Sequence, residues 1–424
     1  MNKPQQNFWK SLGPGILFAG AAIGTSHLVQ STRAGAIYGL GLLGIIVFSN
    51  IIKYPAYRFG PHYAAATGKS LIAGYRSIGR WVVVLIGLIE FPVMAIIIAA
   101  TAITTSAIFL AIFDLSWDPR YVGCVFILLG SIVTLSGGYS LLDKLTKFFV
   151  MILTVCTFVA TAVAIQNVEF NLVLGNQHLN FETFVFVIAL MGFMPAGMEL
   201  SVMHSLWTVE KIKNSSHTIS IKTATVDLNV GYVLSAILAV FFVIMGASVM
   251  YTGKLEPASN AAEFANQIIN LYTTTLGSWS GDIVGLAALS VMFTTLLTVL
   301  DGMPRLLSKI VDSLKAKLKT HSNEVTVINN NEAFPLTIMT LLLALFAMII
   351  LIFLMKNFTS FIDFVTIVSF LVAPVFAILN HVVIFGETVS VNNRPNKLLH
   401  GWSILAIIFL VTLSLCYFYF LIVN

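Results

Sequence analysis

Charge is scarce in this chain. Only 10% of its 424 residues are Asp, Glu, Lys or Arg, against 58% that are hydrophobic. A soluble domain carries about a quarter charged residues, so an ordinary soluble protein is excluded. Cysteine is equally rare. Cys124, Cys156 and Cys416 each fall in an apolar stretch, which supports neither a disulfide frame nor a cysteine metal cluster. There is no phosphate-binding glycine loop, no supported nucleophile–base arrangement and no ATPase signature. An enzyme is therefore not expected, and no cofactor is implied. The polar start MNKPQQNFWK is followed by an apolar stretch without a small-residue cleavage site, so no cleavable signal peptide is expected.

Long apolar runs are abundant instead. Spans are read at 13–39, 41–59, 81–113, 119–136, 145–166, 181–208, 224–252, 283–302, 334–355, 359–386 and 401–423, about eleven helices each long enough to cross a bilayer. Basic residues such as Arg58, Lys69, Arg76, Arg80, Lys144, Lys211, Lys213, Arg305, Lys309 and Arg394 gather at alternate span ends. By the positive-inside rule this puts the N-terminus in the cytoplasm and the C-terminus outside. The net charge of +5 then serves topology, and the partner is the lipid bilayer rather than nucleic acid. A multi-pass protein of a bacterial inner membrane is expected. The polar segment KLKTHSNEVTVINNNEAF reads as a solvated cytoplasmic linker.

Two spans are broken. The first contains Gly24, Thr25, Ser26 and His27 in mid-run; the sixth contains Gly192, Pro195 and Gly197. Proline removes a backbone donor and glycine weakens the helix, and the freed groups can survive only against protein or a cavity. Breaks in the first and sixth spans occupy matching positions in two five-helix halves, the pattern of an inverted-repeat transporter with a midplane site. The halves are read as 13–166 and 181–386, with 401–423 an additional helix, all within one transmembrane domain.

Several short motifs carry a family likeness. GPGILFAG (13–20), ATGKSL (66–71), GGYSLLDKL (137–145), FMPAGMELS (193–201) and VSFLVAPVFAI (368–378) together resemble, in order and along the whole chain, the Nramp family of divalent-metal transporters. The resemblance implies an all-α leucine-transporter-like fold with broken first and sixth helices. It also implies secondary transport by alternating access.

The family's metal ligands are missing. Where the family carries Asp-Pro-Gly-Asn in its first span, this chain has Gly24-Thr25-Ser26-His27. Met194 and Pro195 match the sixth-span motif, but its histidine is Ala196, followed by Gly197. The acids of the family's third span are absent, with Glu90 lying nearer the start of that helix. Its tenth-span glutamine falls among apolar residues around Phe370. A divalent ion stripped of water needs negative ligands, so no metal site is assigned. Thr25 and Ser26 are good N-caps and Pro195 a good first-turn residue. Two half-helix N-termini would therefore turn N–H groups and positive dipole ends toward one cavity. The expected cargo is a small inorganic ion, foremost an anion such as bicarbonate, with H⁺ or Na⁺ as candidate co-transported ions. One alternative keeps Mn²⁺, Fe²⁺ or Mg²⁺ as cargo with proton coupling. Another is a transport-inactive sensor or scaffold. Glu199, His204 and Arg33 are the candidates for coupling or proton relay.

Overall fold

The computed structural model describes residues 13–423 except 169, 174–179, 215–218, 316, 322–323 and 329–334, and the backbone alone at 137–147, 149–150, 167, 214, 317–321 and 324–328. The first span is divided into α1 (Pro14–Ala22), a π-helical stretch (Ser26–Ser31) and α2 (Thr32–Tyr38). Next come α3 (Leu43–Thr67), α4 (Leu71–Ile78), α5 (Arg80–Ile112) and α6 (Pro119–Ala164). The sixth span is divided into α7 (Phe181–Gly192) and α8 (Glu199–Asn214). The rest is α9 (Ile221–Gly246), α10 (Ala261–Leu276), α11 (Ser280–Lys315), α12 (Leu336–Phe353), α13 (Phe358–Phe385) and α14 (Lys397–Val423).

Local sequence sets many of these boundaries. Asn180, Ser220, Asn260 and Asn357 each accept a backbone N–H in the first turn of α7, α9, α10 and α13, satisfying donors that have no partner inside the helix. Gly68 ends α3 in the left-handed conformation at φ 69°, which costs glycine little. At the start of α6, the guanidinium of Arg120 lies 2.6 Å from the capping Asp118 and holds that carboxyl below the usual carboxylate range.

Among the described residues, seven helices are long and apolar enough to cross a membrane. The other expected spans fall short for identifiable reasons. Two are the broken ones, the second carries Asn50, Lys53 and Arg58, and the fifth is the flank Met151–Ala164 of α6. The loop expected at 137–144 lies where side chains are not described, and α6 is helical through it. Its two flanks pack against different neighbours. Phe126 meets Phe293 and Gly130 meets Leu300, whereas farther along Leu153 shares a cluster with Val291 and Thr157 bonds Tyr272.

Two short helices, α4 and α10, were not anticipated. The expected linker after α11 carries a two-stranded antiparallel hairpin, β1 (Lys317–His321) with β2 (Glu324–Ile328). The central helix α11 has 72% of its apolar window buried, against 17% for α14. The additional C-terminal helix thus packs on the outside, against α13 and α3. The basic ends of α3, α4, α8 and α11 converge at one end of the bundle, where Leu71 N–H bonds Ser205 and Arg76 bonds the Ser313 carbonyl.

The first span is anchored to α9. A Cβ on Gly231 would stand 1.8 Å from the Gly15 carbonyl oxygen, so only glycine permits this crossing. Beside it, buried Asp227 accepts the N–H groups of Gly13 and Gly15, both at 2.9 Å, and so caps α1 from another helix. Replacing Asp227 by Ala strands two buried donors, each costing about 1–3 kcal/mol. Asp227→Ala should therefore lower the melting temperature of the detergent-purified protein, and an unchanged melt would remove this cap from the account.

Candidate functional site

The two breaks face each other across a small cavity of about 40 Å³, room for roughly three water molecules. Its wall is made by Thr25 and Ser26 from the first break and by Ala196, Gly197 and Glu199 from the sixth. Thr101 of α5, Thr295 of α11 and the apolar Phe193, Met203 and Met303 complete it.

In the first break the chain leaves α1 at Ile23 and resumes at Ser26. The carbonyls freed there are taken by hydroxyls. Thr295 donates to Gly20 at 2.7 Å, and Ser26 donates to Ala22 at 2.5 Å. A Cβ on Gly24 would stand 2.8 Å from the Thr295 methyl carbon. The space that a carboxylate at position 24 would enter is already filled, which gives the missing acid a packing explanation.

The sixth break is supported by a stripe on α3. Ser49, Lys53 and Tyr57 recur every four residues, on one helix face. Ser49 donates to the Met194 carbonyl at 3.2 Å, Lys53 to Met191 and to Gly192 (3.1 Å), and Tyr57 to Ala196. The fully buried Lys53 ammonium sits on the carbonyl end of α7, where the helix dipole is negative. On the other side of the break Glu199 opens α8. Its carboxylate lies against its own backbone N–H and folds over Gly197, where a Cβ would be 2.1 Å from Oε1. The sixth break thus holds a cation at its carbonyl end and an acid at its N–H end.

The expected residues separate into two groups. Thr25, Ser26, Ala196, Gly197 and Glu199 meet at the cavity. Gly24 packs on Thr295 behind it. His27 is fully buried, with Nε2 2.8 Å from the Ser235 carbonyl and Nδ1 2.6 Å from Ser26, so its ring is turned to α9. Met194 packs with Ala34, Leu190 and Val243, and Met194–Pro195 is a cis peptide. His204 lies edge-on to Phe18 with Nε2 4.0 Å from Asp227. The hydroxyls of Thr101, Thr104 and Thr105 donate to helix carbonyls four residues back, as expected for such residues in an apolar helix.

Arg33 belongs to a second layer. It makes a two-pronged ion pair with Asp363 (2.6 and 3.0 Å), bonds Gln30, and lies over the Phe186 ring. Gln30 ties Asp363 and Thr366 into the same group. On the far side of Arg33 opens a vestibule of about 800 Å³ that also touches Tyr251, Lys254 and Glu256. This network joins the first and tenth spans, with Arg33 on the vestibule wall. Among the described residues, no three His, Cys, Asp or Glu are grouped to hold a metal ion.

Two outcomes are expected. Thr295→Ala should offset part of the stability lost in Gly24→Asp. The coupling should be on the order of 0.5–3 kcal/mol in a double-mutant melt, and strict additivity would break the packing explanation. Breaking this network with Asp363→Ala should raise the labelling rate of Ser26→Cys by a water-soluble thiol reagent, in a background lacking Cys124, Cys156 and Cys416. Equal rates would show that the ion pair bars nothing.

Comparison with known proteins agrees with this architecture. The chain superimposes on the crystal structure of a manganese transporter from Eremococcus coleocola with a TM-score of 0.77. The match is 13% identical and covers 98% of this chain and 88% of that one. It superimposes on MhsT bound to L-phenylalanine with a TM-score of 0.63, 11% identity and coverage of 96% and 97%. Both likenesses concern the fold. An uncharacterised protein of Pasteurella multocida (strain Pm70) is 33% identical over 334 residues, covering 77% of this chain and 76% of that one. Residues 15–420 match the family described as natural resistance-associated macrophage protein-like; the chain belongs to the Nramp family, with a leucine-transporter-like fold.

Proposed function

We propose that this protein is a secondary transporter whose cargo is not a transition-metal ion but a small anion such as bicarbonate, bound between the two breaks. The observation that carries this reading is the fully buried Lys53 ammonium on the carbonyl end of the sixth break, the break whose other residues wall a cavity where, among the described residues, no three metal-ligating side chains are grouped. A cation held at bilayer depth needs a compensating negative charge. The cavity of about 40 Å³ limits the cargo to a small one. The half-helix starting at Glu199 adds a positive dipole end.

One observation favours a second reading, a small cation. The hydroxyls of Thr101, Thr295 and Ser26 spend their protons on helix carbonyls, so their lone pairs are what a guest first meets. An anion must draw those protons away, a rotation that hydroxyls readily make. Glu199 would also suit a cation, but its carboxyl is folded back on Gly197. Alternating access would proceed by opening the Arg33–Asp363 pair on one side and the basic end on the other, with that basic end facing the cytoplasm.

Liposomes containing the purified chain separate the readings. Mn²⁺ entry is followed by a trapped metal dye and bicarbonate entry by internal pH. Bicarbonate-dependent flux without Mn²⁺ entry, reduced at least several-fold by Ser26→Ala, is the expected result. Specific Mn²⁺ entry would overturn the reading.

A further inference from the structure

Both ends of the sixth break are already occupied by charges of the protein itself. Lys53 holds the carbonyls of Met191 and Gly192, and the Glu199 carboxylate lies on the first N–H of α8 while lining the cavity. An anion entering there meets a carboxylate in the place where donors are available. Two negative groups on one helix start, answered by one ammonium, would leave a buried negative charge uncompensated.

We infer that the Glu199 carboxylate is a resident anion that competes with the cargo for the start of α8, so that one proton is taken up for every anion bound. The inference rests on the anion reading above. In the empty site Lys53 and ionised Glu199 compensate each other. When Glu199 takes a proton from the solution on the side to which the site is open, the N–H end is released and the Lys53 charge is left for the cargo. The cargo anion then restores neutrality. No covalent bond is made to the cargo; one proton joins one carboxylate oxygen and leaves again on the other side. The site's net charge is the same empty and loaded, so the low-dielectric interior never holds an unbalanced charge.

Among the groups that face Glu199 there is one ammonium and one further carboxyl. From α3, Lys53 and Tyr57 face Glu199. From α5 comes Glu90, fully buried with neither carboxyl oxygen hydrogen-bonded, and beside it Tyr75 of α4. On α11, Asp301 is paired with Arg305 at 2.7 Å. Between Pro14 and Ala22, α1 carries no titratable side chain. Lys53 is therefore the cation that answers Glu199.

The test uses the full chain in detergent, with formate and nitrate as probes because neither changes charge between about pH 5.5 and 8. In the unmodified protein the apparent affinity for formate should fall with rising pH, approaching tenfold per pH unit for a single linked proton. Glu199→Gln, a permanent stand-in for the protonated acid, should bind formate with no pH dependence. Glu199→Asp should keep the slope. A Glu199→Gln protein that elutes as a folded monodisperse peak yet retains the slope would overturn the coupling alone. So would an unmodified protein whose anion affinity is flat with pH. Absence of formate and nitrate binding in both proteins at every pH would overturn the anion reading, and the coupling with it.

Discussion

Backbone groups freed at the depth of the membrane must find partners inside the protein, and much of this architecture answers that requirement at two places. The first break is closed by hydroxyls of Ser26 and Thr295. The sixth is closed by the α3 stripe and by Glu199. Packing enforces the arrangement. Glycine crossings press the first span onto α9 and α8 onto α3, where a Cβ on Gly60 would stand 2.2 Å from the Ser201 carbonyl oxygen. Because side chains close both breaks, the cavity between them is small and its chemistry is local.

Departures from the family's ligand pattern become intelligible in the same terms. The position of the lost first-span acid is packed against Thr295. The lost sixth-span histidine is Ala196, whose carbonyl accepts from Tyr57. A lysine and a glutamate stand on opposite sides of the sixth break.

Much of the fold was legible in the sequence. Hydropathy located the spans, and clustered glycine and proline marked both breaks, because these features reflect bilayer thickness and backbone bonding directly. Helices α4 and α10 escaped because short helices beside membrane spans lack a long apolar run. Asn260 before Ala261-Ala262-Glu263 and Gly277 after Leu276 were signals for α10 nonetheless. At the site, Thr25, Ser26 and Glu199 were legible from residue type and place. The orientation of His27 was not, since its partner is the carbonyl of Ser235, 208 residues away. The α3 stripe could have been found: Ser49, Lys53 and Tyr57 share a helical face, and a lysine inside an apolar span is a functional signal. Thr101 and Thr295 could not, because nothing local distinguishes them from hydroxyls that merely serve their own helix.

The most direct measurement is a crystal structure of the full chain grown near pH 5.5 with bromide as an anomalously scattering anion, alongside a second crystal soaked in Mn²⁺. The account predicts a bromide peak between Ser26 and Gly197, with Glu199 swung off the start of α8, and no manganese there. A manganese peak at that position without bromide would contradict it.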